Sequence, residues 1–258
     1  MESKLFSILN KELKLGINTV ILEETTSSND YCKNLAKNTN EDILVITLSQ
    51  TNGKGRLGRS FFSPKDSGIY LSFLLHPDLK ADDCTKITTA AAVAVAETIE
   101  FISSKKTHIK WVNDIYLDGK KVAGILTEAG FSGNSEKVQY AVMGIGINLF
   151  NPKGCFPEDI KEKAGSVFGP LLPSAEITLK FIKEFTKRFL DIYAILPDTL
   201  YMENYKSRSM LIGKNVSFIK NGEKYNGFVL GIDNDAGLLL ATDKGSITIK
   251  AGEVSLNV

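Results

Sequence analysis

Ten residues in the first quarter of the chain concentrate both charge and backbone freedom: Gln50-Thr-Asn-Gly-Lys-Gly-Arg-Leu-Gly-Arg59. Gly53, Gly55 and Gly58 let the backbone approach a ligand closely. Lys54, Arg56 and Arg59 place three cations in the same loop. That combination suits carboxylates and phosphates; a solvated basic hairpin is the plainer alternative. Two known patterns match this loop only in outline. The three glycines fit the spacing of a dinucleotide fingerprint, and Gly53 to Ser60 resembles a P-loop with Arg59 in place of its lysine. Both patterns must open a helix. Here Pro64 and Gly68 follow closely, so no helix of useful length fits.

Two further segments carry chemistry. Lys110-Trp-Val-Asn-Asp114 leads through the Asp118-Gly119 turn to Lys121-Val-Ala-Gly-Ile-Leu-Thr-Glu128, a strand, a tight turn and a second strand. Alternation predicts Lys121, Ala123 and Ile125 on one face. Lys121 beside an anion-binding loop would act as an electrophilic clamp; on its own it reads as a surface hairpin lysine. Met143-Gly-Ile-Gly-Ile-Asn-Leu149 puts Gly144 and Gly146 inside a strand. Such glycines mark close approach of a ligand or of another backbone.

Histidine is scarce. His76 and His108 are the only two, and both read as surface or structural residues, so the chemistry must run on lysine, arginine and metal rather than on the usual histidine base.

The elements that position these groups follow from periodicity. Helices are expected over 2–13, from about Asp30 to Lys37 with Ser27 or Ser28 as cap, over Asp82–Ser103, and along the face Ile177, Phe181, Phe185, Phe189, Ile192 and Leu196 up to Pro197, with a further piece over 198–207. Strands are expected at Val20–Leu22, Ile43–Leu48, Ile69–Leu75, Lys110–Leu117, Val122–Glu128 and Gln139–Leu149. A turn is expected at FSGNSE, and residues 151–173 read as a loop. From Lys214 onward, short β-rich runs are separated by Asn221-Gly222, Asn234-Asp235 and Lys244-Gly245, which suggests a small barrel docked on the larger unit.

With 258 residues, 43% hydrophobic and 24% charged, the chain is long enough for one large globular unit plus a small one. Its 31 basic and 30 acidic residues leave a net charge of +1, without the basic excess that nonspecific nucleic-acid binding requires. Cys32, Cys84 and Cys155 fit neither a disulfide framework nor a zinc site. No signal-peptide core or bilayer-length apolar run occurs. A cytoplasmic protein without membrane or nucleic-acid partners is the expectation.

Taken together and in order, GKGRLGR, KWVND, KVAGILTE and GIGIN, preceded by Ser27-Ser28-Asn29, resemble the motifs of biotin–protein ligases. The resemblance covers about residues 20–258. It implies an α+β fold: a mixed, mostly antiparallel sheet backed by helices, class II aminoacyl-tRNA synthetase-like, over 1–210, then an SH3-like barrel over 211–258. It also implies a two-step reaction in which biotin and Mg-ATP give biotinyl-5′-AMP, and a lysine of a carboxylase's biotin carrier domain takes the biotinyl group.

By resemblance Ser27, Ser28, Asn29 and Gln50 would hold the biotin ring, and Gly53, Lys54, Gly55 and Arg56 would close over it. Arg56 would retain the adenylate, and Arg59 would reach pyrophosphate oxygens. Lys121 would bridge the carboxylate and α-phosphate. Asn113 and Asp114 would face the nucleotide and its metal, with no metal ion held by the protein itself. Gly144, Gly146 and Asn148 would wall the adenylate site. Trp111 would stack on adenine or belong to the core. A homodimer is also implied. Regulatory members carry a helix-turn-helix of about 60 residues, whereas 26 residues precede Ser27, so a catalytic-only ligase is expected. Two departures stand out: Lys54 where the family has arginine, and Val112 where it has proline. The R-R-x-S-G-G-G loop of lipoate and octanoate ligases is absent. A noncatalytic binding module on the same scaffold remains the rival of a different class.

Overall fold

The computed structural model describes residues 4–131, 137–220, 223–250, 252 and 254–256. Most of FSGNSE and the expected Asn221-Gly222 turn therefore lie outside the described residues. The helices are α1 (Lys4–Glu12), α2 (Ser28–Leu35), α3 (Cys84–Ser103), α4 (Ala175–Tyr193) and α5 (Met202–Ser207). The strands are β1 (Asn18–Leu22), β2 (Ile43–Thr47), β3 (Gly68–Leu75), β4 (His108–Lys110), β5 (Asp114–Leu117), β6 (Lys120–Phe131), β7 (Val138–Asn148), β8 (Asn215–Lys220), β9 (Glu223–Ile232), β10 (Leu238–Thr242), β11 (Gly245–Ile249) and β12 (Val254–Leu256).

The first seven strands form one sheet in the order β1-β2-β3-β7-β6-β5-β4. Only β1 and β2 run parallel; the other pairs are antiparallel. The last five strands form a separate antiparallel sheet in the order β11-β10-β9-β8-β12.

The two faces of the large sheet are covered unequally, and this creates the site. Ile69, Leu71 and Phe73 of β3 join Ala123 and Ile125 of β6 and Ile145 and Ile147 of β7 in the main core. Against them lies α3, whose residues Ile87 to Ala96 are buried throughout. Its alanines let it sit close to the sheet. Behind it α4 contributes Phe181, Phe185 and Phe189, one turn apart, with their rings 6.0 Å from centroid to centroid. Phe73 packs against the last two at 6.0 and 4.9 Å. On the opposite face α2 covers only one end, through Cys32 packed with Val45, Leu74 and Val142. The rest of that face carries Gly124, Gly144 and Gly146, and no helix of the described residues covers it.

The core continues into the second sheet through Tyr201, Tyr205 and Leu211 to Val216, Val229, Leu238 and Val254. The expected docking of the tail on the larger unit is therefore found.

Two expectations change. The strand read as Lys110–Leu117 is two strands, because Trp111–Asn113 form a turn. Asn113 exchanges its backbone and side-chain bonds with Ile125, and Tyr205 Oη donates to Val112 O at 3.0 Å. Lys121 does not share a face with Ala123 and Ile125. Ile115 pairs with Ala123 but Tyr116 with Lys121, so Val122 is an extra residue in a β-bulge. The bulge turns Val122 into the core and Lys121 onto the glycine face. Residues 160–168 lie in a loop, as expected, and this loop docks on the start of β6: Lys121 N donates to Lys163 O and Gly165 N to Lys121 O, at 2.8 and 2.9 Å.

Candidate active site

The basic loop is a hairpin closed at its neck. Phe61 N donates to Gly53 O at 2.8 Å and Gly55 N to Arg59 O at 2.7 Å. At its tip Leu57 and Gly58 both have φ in the left-handed region, 56° and 74°. The next regular element is β3, so no helix opens after the loop. This excludes both the dinucleotide fingerprint and the P-loop on structure.

The loop folds over the glycine face and closes a cleft of about 950 Å³, including space open to solvent. Ser27, Ser28, Asn29, Gln50, Lys54, Gly55, Arg56, Arg59, Trp111, Asn113, Asp114, Lys121, Gly144 and Gly146 all border it. Residues separated by up to 119 positions thus converge.

The cleft's floor needs its glycines. A Cβ on Gly146 would lie 2.3 Å from the Phe61 ring, and one on Gly144 would lie 1.9 Å from Asn29 Oδ1. Gly53 and Asn148 do not border the cleft. A Cβ on Gly53 would strike Phe61 O at 2.4 Å, so this glycine closes the hairpin neck. Asn148 Nδ2 donates to Gly165 O at 3.0 Å and ties β7 to the 160–168 segment, beyond the cleft.

One end of the cleft is a network of neutral polar groups. Ser27 caps α2, its Oγ accepting from Asp30 N at 3.4 Å. Gln50 Oε1 accepts from Ser28 N and Ser28 Oγ at 2.8 and 3.0 Å, while Gln50 Nε2 donates to Ser63 Oγ at 3.0 Å. Ser72 Oγ lies 2.7 Å from both Ser28 Oγ and Asn29 Oδ1. Asn29 Nδ2 donates to Glu128 Oε2 at 2.9 Å and to Leu126 O at 3.4 Å. Asn29 is 4% exposed and these bonds tie its amide into the polar end. Glu128 Oε1 in turn pairs with Lys33 Nζ at 2.5 Å. Burial alone would lower the Lys33 pKa, but the Glu128 bond and the charges of Glu128 and Asp30 raise it above the ordinary value.

The other end is ionic. Lys121 Nζ lies 2.6 Å from Asp114 Oδ1. Arg56 Nη1 donates to Asn113 Oδ1 at 3.0 Å, and its Nη2 donates at 3.1 Å to Gly252 O, in the connection between β11 and β12. Lys54 Nζ lies 2.6 Å from Asp30 Oδ1, so its charge is paired with the first turn of α2. Trp111 is 4% exposed and donates its Nε1–H to Ala236 O at 2.7 Å. The ring is packed in the main core and still borders the cleft. Burial, then the charge of Asp114, raises the Tyr116 phenol. Among the described residues no group of three or more histidine, cysteine or carboxylate side chains is placed to hold a metal ion.

Ser63, Ser72 and Phe61 carry no distinguishing signal in the sequence, whereas Glu128 has one as the last residue of KVAGILTE. The two histidines behave as expected: His76 lies 3.3 Å from Asp42, and His108 is an exposed residue of β4.

A family model described as "Biotin/lipoate A/B protein ligase family" matches residues 21–148, and one described as "Biotin protein ligase C terminal domain" matches 211–257. The bifunctional ligase/repressor BirA of Bacillus subtilis (strain 168) is 31% identical over 258 residues, covering 95% of this chain and 78% of the relative. This chain belongs to the biotin protein ligase family. The biotin–[acetyl-CoA-carboxylase] ligase of Paracoccus denitrificans is 28% identical, covering 91% of this chain and 98% of the relative. The structure of the Aquifex aeolicus biotin protein ligase in complex with biotin and ATP superposes with a TM-score of 0.74 at 28% identity, covering 93% of this chain and 98% of that one. The mixed sheet with its helices and the separate C-terminal antiparallel sheet are the fold of this family.

Proposed function

We propose that the chain is a biotin–protein ligase that activates biotin with Mg-ATP and transfers it to a lysine of a biotin carrier domain of a carboxylase. A biotin carboxylate oxygen attacks the α-phosphorus, the bond to the bridging oxygen breaks, and pyrophosphate leaves. The neutral amine of the acceptor lysine then attacks the carbonyl of biotinyl-5′-AMP. AMP leaves, the amine's proton is lost, and an amide remains.

Negative charge grows on phosphate oxygens in the first step and on the carbonyl oxygen in the second. Preplaced cations in a partly closed cleft lower both barriers. Lys121 is assigned to the carboxylate and α-phosphate, and Arg56 to retention of the adenylate. Arg59 is assigned to pyrophosphate oxygens, and Asn113 and Asp114 to the nucleotide side. Ser28 and Gln50 are assigned to the biotin ureido group, which needs both donors and acceptors, with Ser27 and Asn29 bracing them. Lys54, Gly55 and Gly53 shape the loop over biotin, while Gly144 and Gly146 wall the adenylate site and let Asn29 and Phe61 pack close to the sheet. Asn148 is assigned to support of the wall rather than to contact. Mg²⁺ arrives with the triphosphate. Among the described residues Asp114 is the one carboxylate bordering the cleft, which fits an ion held mainly by substrate oxygens.

The observation that carries this reading is the meeting, in one cleft, of a neutral polar end and an ionic end joined by a glycine-containing floor, in a chain of this family. The biotin-specific C-terminal match favours biotin over lipoate. The same reading includes a catalytic domain over 1–210 of class II synthetase-like type, an SH3-like domain over 211–258, a homodimer, a cytoplasmic setting and no nucleic-acid partner. Thermal unfolding tests it. Biotin with Mg-ATP should raise Tm by several degrees as the tightly held adenylate forms. Lipoate with Mg-ATP should not, and a rise with lipoate alone or with nucleic acid alone would overturn the assignment.

A further inference from the structure

The C-terminal sheet reaches the cleft region at a second place besides Gly252. The turn between β9 and β10 is braced from within. Asp233 Oδ1 accepts from Asp235 N at 3.0 Å and from Gly237 N at 2.6 Å. Its tip then sits on three different elements of the larger unit. Lys206 Nζ of α5 donates to Asn234 Oδ1 at 2.7 Å. Lys86 Nζ of α3 lies 3.1 Å from Asp235 Oδ1. Trp111 Nε1 donates to Ala236 O.

Lys86 is unusual for an ionic residue. Its side chain is 9% exposed, and it is held between Asp83 at 2.7 Å and Asp235. Asp83 pairs the enclosed ammonium from its own side, and the seated turn adds a second carboxylate to it.

Trp111 opens the three-residue turn that leads directly to the groups touching the ionic end. Asn113 receives Arg56 at 3.0 Å, and Asp114 meets Lys121 at 2.6 Å. Neither Lys86 nor Asp235 borders the cleft. Their effect on it must run through Ala236 and Trp111.

We propose that Lys86 and Asp235 are positioning residues for adenylation. Their ion pair seats the 233–237 turn of the C-terminal sheet on Trp111 and thereby fixes the 111–114 segment that holds Arg56 and Lys121. The inference rests on the ligase reading of the site. It predicts that the fault, when the pair is lost, lies in charge placement and not in biotin recognition. The Ser28–Gln50–Ser63 network shares no hydrogen bond with this chain of contacts.

The test is pyrophosphate release by Asp235→Asn and Lys86→Met in the full chain, with biotin and ATP varied separately. Emission of Trp111, the single tryptophan of the chain, is recorded alongside. Asp235 is largely exposed, so its substitution leaves folding intact. Both variants should lose kcat roughly tenfold, within the range of couplings between neighbours in one network. Biotin KM should stay within about twofold, and the emission should shift as the indole loses its fixed acceptor. Asp235→Glu should restore both readouts. Trp111→Phe, which keeps the ring and removes the donor, should lose kcat to a similar extent and show no further loss when combined with Asp235→Asn. Wild-type kcat and unchanged emission in Asp235→Asn and Lys86→Met would overturn the proposal, as would losses in kcat and biotin KM that simply follow Tm. A wild-type protein without biotin-dependent release would instead overturn the ligase reading.

Discussion

Replacing Gly144 by alanine puts one methyl group where the cleft floor has none. The added Cβ would lie 1.9 Å from Asn29 Oδ1 and about 3 Å from the amide nitrogen, whereas ordinary contact begins near 3.4 Å. Asn29 would have to withdraw by roughly 1.5 Å. It cannot do so freely. Its Oδ1 lies 2.7 Å from Ser72 Oγ, and its Nδ2 bonds Glu128 at 2.9 Å and Leu126 O at 3.4 Å, all with the residue 4% exposed. Losing two of these bonds and leaving buried partners unmatched costs about 2–4 kcal/mol. For a chain of this size that is a Tm decrease of roughly 5–15 °C. The Ser28–Gln50 end shares Ser72 with Asn29, so biotin affinity should fall as well. Scanning calorimetry and biotin titration of Gly144→Ala, Asn29→Ala and the double variant check the reasoning. Asn29→Ala removes the atom that the new methyl strikes, so the double variant should be no less stable than Asn29→Ala alone. Additive losses, or a Gly144→Ala protein as stable as the parent, would refute the steric account.

Lys121→Ala should lower adenylate formation by about 10²–10³, the scale of losing one preorganised group that stabilises transition-state charge; single-turnover pyrophosphate release measures it, and a loss below tenfold would remove Lys121 from its assigned role. Arg56→Gly breaks the contacts to Asn113 and Gly252. Adenylate should still form but escape and label lysines of bystander proteins, and unchanged acceptor selectivity by mass spectrometry would contradict this. Glu100 accepts from Thr107 and from both Nε and Nη2 of Arg208. Burial would raise its carboxyl pKa, but these bonds and the Arg208 charge outweigh it and lower the folded value below the ordinary one. Its stabilisation is therefore complete above the unfolded carboxylate value of about 4.3 and is lost as pH falls through the folded value. The Tm difference between wild type and Glu100→Gln should accordingly be largest near neutrality and shrink in acid, and a difference that grows in acid would reverse the sign argument.

Local pattern carried the long elements. The alanine-rich run of α3 and the phenylalanines of α4 are periodic over several turns, and Asp118-Gly119 makes its hairpin, with both residues at positive φ. The ordered glycine and lysine motifs made most of the cleft legible, because glycine inside a strand has few other uses. What remained hidden depends on partners distant in the chain. No local signal announces that Val122 will be the bulged residue, because the bulge is set by how β5 and β6 pair. The break at Trp111–Asn113 follows from bonds to Ile125, Tyr205 and Ala236. Asn148 shares its spacing with Gly144 and Gly146, yet the 160–168 segment covers it. Serines 63 and 72 have meaning only once Gln50 and Asn29 are beside them.

The central claim is that this cleft joins biotin to the α-phosphate of ATP. Pyrophosphate release by the purified protein with Mg-ATP, compared for biotin, lipoate and no acid, tests it most directly. The account predicts release that requires biotin and is lost in Lys121→Ala. Release with lipoate alone, or none with either acid, would contradict it.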